Sequence, residues 1–229
     1  MIVNCLSSHE RNVAAVVQKA KESLDKETLE SSGTILYSSS ATLKPGKYYF
    51  LGLNPGGADD GTKTIQESLE NLTDFSENAY LEENWSSASR QYGKGGHPLQ
   101  QNYQFLFSEL REALDSVCAS NLIFRRSVSE KGARYEELVD RCWRVHEAIL
   151  EIVRPKAIIT FGRQPFNFIK RTRCGDDRQD RPAGHGKWIW RSSTLATGER
   201  LVGLPHLSRY ALRSNKAVVD EIKNFLGLV

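Results

Sequence analysis

Lys47-Tyr-Tyr-Phe-Leu-Gly-Leu-Asn-Pro-Gly-Gly57 decides how this chain is read, because an apolar β-type run passes straight into Gly52, Asn54, Pro55, Gly56 and Gly57 with no helical phase between. The stretch predicts a buried strand that ends in a loop. Glycines in such a loop let the backbone approach a ligand closely, and the Asn54 carboxamide can orient a water or read a polar edge. The same pattern can equally do no more than turn the chain.

Outward from that strand, residues 136–153 place Leu138, Cys142, Val145, Ile149 and Ile152 at three- and four-residue steps and stop before Pro155, which predicts a helix. Residues 10–26, 98–114, 164–170 and 215–226 read as further helices. Residues 119–124 and 156–161 read as short buried strands, 187–193 and 199–204 as two strands joined by a turn at Ala196-Thr-Gly198, and 34–38 as another β-type run. Residues 171–186 mix Arg171, Arg173, Arg178 and Arg181 with Asp176, Asp177 and Asp180 without periodicity and read as a loop.

Helices alternating with short apolar strands predict an α/β fold, a three-layer α/β/α sandwich with a short, mainly parallel central sheet. Ligands of such sheets sit at the carboxyl ends of the strands, which puts Asn54, Asn121, Gly162 and His206 on one edge. At 229 residues the chain fits a single domain, 1–229, with 1–46 as an N-terminal extension and 58–97 as an insertion or lid that holds a short helix at 64–72.

A mean hydropathy of −0.47 and the lack of any long apolar run argue against a membrane span. The first ten residues lack the basic start and apolar stretch of a secretion signal, so a cytoplasmic protein is expected, nucleoid-associated in a prokaryote. Cys5, Cys118, Cys142 and Cys174 lie too far apart for zinc or iron–sulfur ligation; they read as reduced thiols, and neither metal nor cofactor is expected. A net charge of +3 permits a polyanionic partner without establishing one.

Gly52-Leu-Asn-Pro-Gly56 resembles the first signature of the uracil-DNA glycosylase superfamily, closest to the form in its mismatch-specific uracil/thymine branch. Ala119-Ser-Asn-Leu-Ile-Phe-Arg-Arg-Ser127 is similar to the block that carries that branch's base-reading asparagine. Residues 154–169 resemble its helix–strand–Gly–basic–helix segment, with Arg163 at the basic position. Pro205-His-Leu-Ser-Arg-Tyr210 falls where the superfamily carries a His/Asn-Pro-Ser signature and a wedge, with Leu207 in place of the proline. The resemblance spans roughly residues 47–226 and leaves the N-terminal helix and 58–92 without a counterpart.

The resemblance implies a monomeric, monofunctional DNA glycosylase of base excision repair. Asn54 would hold the attacking water, and His206 with Asn121 would bond the base, which Gly52, Leu53 and Gly56 surround. Gly56 stands where the uracil-restricted branch has a tyrosine against the thymine methyl. Tyr92 would be the stacking aromatic, with Phe75 and Tyr80 behind it. Arg125, Arg126, Arg163 and Ser208 would contact DNA, and Arg209 or Tyr210 would fill the vacated stack. Two alternatives stay open: a nucleic-acid-binding module that keeps the fold without catalysis, and an enzyme acting on free nucleotides.

Overall fold

In the computed structural model, which describes residues 6–87, 90–129 and 131–228, the opening stretch forms a strand, Tyr48–Gly52 (β1), buried along its whole length. Trp85–Ser87 (β2) and Arg90–Tyr92 (β3) make a small separate ribbon. Cys118–Asn121 (β4), Ala157–Phe161 (β5), Asp176–Pro182 (β6), Ile189–Thr194 (β7) and Arg200–Leu204 (β8) complete the main sheet, in the order β4-β1-β5-β8-β7-β6. The first four strands in that order are parallel, and β7 and β6 extend it antiparallel.

The side chains of β1 alternate between two hydrophobic cores, Tyr49 and Leu51 entering one and Tyr48 and Phe50 the other. The helices are Ser8–Ser23 (α1), Lys26–Glu30 (α2), Ile65–Glu70 (α3), Ala79–Glu82 (α4), Pro98–Glu109 (α5), Tyr135–Val153 (α6), Arg163–Thr172 (α7) and Lys216–Leu226 (α8). Helices α1, α6 and α7 pack on the first core through residues such as Val16, Ile149 and Phe166, and α5 and α8 on the second through Phe107 and Ile222. The chain is therefore a three-layer α/β/α sandwich. Each such large apolar side chain, once fully buried, contributes about 1.5–3 kcal/mol.

The connection from β1 runs through α5 to β4 on one side, whereas that from β5 runs through α7 toward β8 on the other. Connections that diverge from neighbouring strands leave a crevice at their carboxyl ends. That crevice is where the candidate residues meet.

Residues 171–186 are not simply a loop, because β6 lies within them. This outer strand is exposed on nearly every residue, so no apolar alternation marks it, and its charges discourage pairing with another sheet. Residues 34–38 form no strand. Ile35, Leu36 and Tyr37 are buried, but the chain bonds irregularly along β4, with the Tyr37 N–H donating to Ala119 O at 2.8 Å and the Ala119 N–H to Ser38 Oγ at 2.9 Å.

Neither segment set apart in the sequence is an appendage. Val13, Val16, Ala20, Ile35 and Leu43 from 1–46 belong to the first core together with Ile65, Leu69 and Leu72, while Ala79 and Tyr80 belong to the second. A lid would not carry core residues on both faces of the sheet. The short helix expected at 64–72 is α3, started by a capping box in which the Thr64 hydroxyl accepts from Glu67 N–H and the Glu67 carboxylate from Thr64 N–H. Cys118, Cys142 and Cys174 are free thiols; Cys5 lies outside the described residues, with the rest of 1–5. Among the described residues no helix is long and apolar enough to cross a membrane.

Candidate active site

A cleft of about 920 Å³ opens at the carboxyl ends of β1, β4, β5 and β8, and Asn54, Asn121, Gly162 and His206 all line it. Its size suits a small ligand or one inserted group of a larger one. Gly52 and Asn121 are register partners on adjacent strands at the floor. A Cβ on residue 52 would stand 2.3 Å from Asn121 Oδ1 and 2.5 Å from Phe161 Cζ, so only glycine lets the carboxamide and the ring converge.

Asn121 is 3% exposed, yet among the described residues its carboxamide has no hydrogen-bond partner. Its amide atoms open onto the cleft, where solvent or a ligand can satisfy them. Phe161, at the end of β5, is stacked on Phe50 at 5.1 Å and touched edge-on by His206 at 5.5 Å. An amide able to donate and accept therefore shares the floor with an aromatic ring.

Asn54 Nδ2 donates to Pro55 O at 2.8 Å and to Ser127 O at 3.2 Å, which leaves Oδ1 as an acceptor. The loop after β4 braces this arrangement, with the Ser127 N–H donating to Pro55 O at 3.0 Å and Arg126 Nη1 to Gly56 O at 2.8 Å. Leu53 and Gly56 also line the cleft. Gly56 has nothing within 4 Å of where a Cβ would stand, so the space beside it is open.

His206 follows β8 and is exposed within the cleft. Its Nδ1 accepts from Ser208 Oγ at 2.8 Å, supported by Ser208 N–H at 3.4 Å, which puts the neutral ring's proton on Nε2. Desolvation by the cleft walls lowers its pKa, and the charges of Arg209 and His97 lower it further. The imidazole is thus a neutral donor at pH 7. Leu207, where the resemblance calls for proline, is fully buried, and Asn102 Nδ2 clamps this turn by donating to Leu207 O at 2.7 Å and Tyr210 O at 2.9 Å.

Five of the expected residues are elsewhere. Tyr210 is 1% exposed and its hydroxyl donates to Ala183 O at 2.6 Å, so it cannot enter a base stack. Tyr92 sits on the β2–β3 ribbon with its ring edge-on to His97 at 4.9 Å and Arg90 above it; its cross-strand partner Trp85 lines the cleft instead. Tyr80 and Phe75 are packing residues. Arg125 is tied to Asp59 at 2.6 Å and approaches Glu27 at 3.8 Å, away from the cleft that its neighbour Arg126 lines.

Among the described residues, Lys63, Arg126, Arg163, Lys187, Arg191 and Arg209 line the cleft against two carboxylates, Asp60 and Glu83. The positive excess of the whole chain is thus concentrated here. Hydrogen bonds from Thr62 and Ser32 hold the Asp60 carboxyl below the usual aspartate pKa, which makes it a weak base. The aromatic lining of Tyr37, Trp85, Phe161 and Trp188 was missed in sequence, although Phe161 ends a predicted strand at the edge where ligands bind. A second cavity, of about 510 Å³, lies among Lys47, Glu109, Asp220 and Lys223, side chains largely engaged in ion pairs with one another or with Glu112.

No protein-family model matches the chain, and a search of curated proteins finds no match.

Proposed function

We propose that the cleft is the active site of a monofunctional DNA glycosylase of the uracil-DNA glycosylase type, which hydrolyses the N-glycosidic bond of a flipped, deaminated or mismatched pyrimidine. The observation that carries this reading is Asn121, whose carboxamide faces the cleft beside the Phe161 ring and makes no hydrogen bond among the described residues. Its Nδ2 can donate to O4 of uracil while Oδ1 accepts from N3–H, and the ring supplies a stacking surface. Six cations on the walls favour a polyanion over a neutral nucleoside.

Asn54 Oδ1 would hold a water below C1′. As the C1′–N1 bond breaks, its electron pair passes to the base, whose O2 accepts from His206 Nε2–H, and the water's oxygen bonds to C1′. Among the described residues no carboxylate bonds Asn54, so the water's proton leaves to solvent and leaving-group stabilisation supplies most of the acceleration. Oligonucleotides carrying a single uracil, thymine mismatch, hypoxanthine or xanthine, incubated with the protein and then treated with alkali, test the reading. Strand scission at a pyrimidine lesion is expected; binding without scission would leave the non-catalytic alternative.

His206→Ala should slow the single-turnover chemical step by about 10- to 10²-fold at similar affinity, as expected for one donor to the leaving group. Loss of folding with no specific rate effect would make His206 structural. Gly56→Tyr should be tolerated by the fold, since the site is open, and should discriminate against a 5-methylated base by roughly 10-fold or more while sparing uracil. Equal losses on both bases would remove Gly56 from selectivity.

A further inference from the structure

Beyond the base pocket the cleft continues along β7 and the first turn of α7, where a cationic wall takes no part in the chemistry above. Arg191, on β7, has a side chain only 14% exposed and makes no hydrogen bond among the described residues. Its nearest carboxylate, Asp180, stands 3.7 Å away and is already held by two 2.7 Å bonds from Arg178. The Nε of Arg191 and Oε1 of Gln164, the second residue of α7, are both buried without partners among the described residues.

A guanidinium taken out of water is stable only when its donors are satisfied. Burial is the largest influence on Arg191 and lowers its pKa; Asp180 opposes it, and Arg178 and Arg163 lower the pKa further. Three arginines around a single aspartate leave two positive charges uncompensated, and exposed Lys187 adds another beside them. The wall is short of an anion with several acceptor oxygens. Phosphate matches that need, because its oxygens can take the fork of one guanidinium and the charge of its neighbours together.

We propose that Arg191, with Arg163, Gln164 and Lys187, forms a phosphate subsite that holds one phosphate of the substrate next to the base pocket. The proposal rests on the glycosylase reading only for the source of that phosphate. A backbone phosphate of DNA and the phosphate of a free nucleotide share the required chemistry, and the two are separated experimentally.

The test measures binding of the full chain to a lesion-containing single-stranded oligonucleotide across a range of salt concentrations, for the wild type, Arg191→Met and Arg191→Lys. Arg191→Met should weaken binding roughly 10-fold and reduce the slope of log K against log salt by about 0.7, one phosphate's worth, with partial recovery in Arg191→Lys. Methylphosphonate scanning supplies the position: one neutralised phosphate should weaken the wild type and leave Arg191→Met unaffected. Asp180→Asn separates this role from a structural one, since removing the competing carboxylate should tighten binding. A thermal melt of each variant controls for folding.

An unchanged salt slope together with an unchanged methylphosphonate profile in a folded Arg191→Met overturns the subsite, whatever the activity. A changed slope without cleavage of any lesion keeps the subsite and removes the glycosylase reading. Calorimetry with deoxyuridine monophosphate against deoxyuridine identifies the other source: phosphate-dependent binding of the mononucleotide, abolished in Arg191→Met, with no effect at any oligonucleotide phosphate, assigns the subsite to a free nucleotide.

Discussion

Replacing Asn54 by alanine is expected to lower single-turnover cleavage by about 10²-fold or more while leaving lesion binding nearly intact. The side chain is held by its own Nδ2, which donates to Pro55 O and Ser127 O, so its Oδ1 is oriented before substrate arrives. A preoriented acceptor pays no reorganisation when the water attacks, and its removal acts on the transition state. Because both bonds of Nδ2 go to backbone carbonyls, the variant should keep the loop: the Ser127 N–H still reaches Pro55 O and Arg126 still reaches Gly56 O. Cleavage under single-turnover conditions and binding of an uncleavable analogue, measured together, check both halves. Unchanged cleavage would remove Asn54 from the mechanism, whereas equal losses of rate and affinity would place it in ground-state binding.

The layered fold was legible because its signals are local. The alternation of Tyr48, Tyr49, Phe50 and Leu51 and the three- and four-residue steps of α6 both reflect burial that the sequence states directly. Strand β6 was not legible, since an exposed edge strand buries neither face and carries no apolar period. The site divides in the same way. Asn54, Asn121, Gly162 and His206 follow from strand ends, which sequence locates well. Arg125 and Arg126 are neighbours of identical chemistry, and only Asp59 and Glu27, about 66 and 98 residues earlier in the chain, draw the first away from the cleft. In sequence a loop aromatic such as Tyr92 looks available, whereas a strand aromatic such as Phe161 looks like core. Phe161 serves as both, stacked on Phe50 and lining the cleft.

The floor has a support whose protonation should be measurable, and acidification is expected to destabilise the chain between about pH 6.5 and pH 4 through His146. This residue of α6 is fully buried beneath the ends of β1 and β4. Burial holds the Tyr49 hydroxyl protonated, so it donates to His146 Nδ1 at 2.6 Å, and His146 Nε2–H donates to Leu122 O at 3.3 Å. Leu122 follows Asn121, and its own N–H donates to Gly52 O at 2.9 Å, so the histidine braces the pair that shapes the base pocket. Desolvation lowers the His146 pKa to about 4, outweighing the raising effect of its backbone hydrogen bonds. The unfolded chain, with a histidine near 6.5, therefore binds more protons than the native one throughout that window, and stability must rise with pH across it. Its full contribution is present above pH 6.5 and is lost progressively as pH falls toward 4, amounting to about 3 kcal/mol. Urea unfolding of the wild type and of His146→Gln at pH 7 and pH 4.5 isolates the effect, because carboxylates that titrate in both proteins cancel in the difference. His146→Gln should cost stability at pH 7, where a good acceptor for Tyr49 is disturbed, and should narrow its deficit by about 2–3 kcal/mol at pH 4.5. A deficit independent of pH would mean that the histidine ionises in the native state as readily as in the unfolded chain, and the brace beneath Asn121 would then owe nothing to a neutral ring.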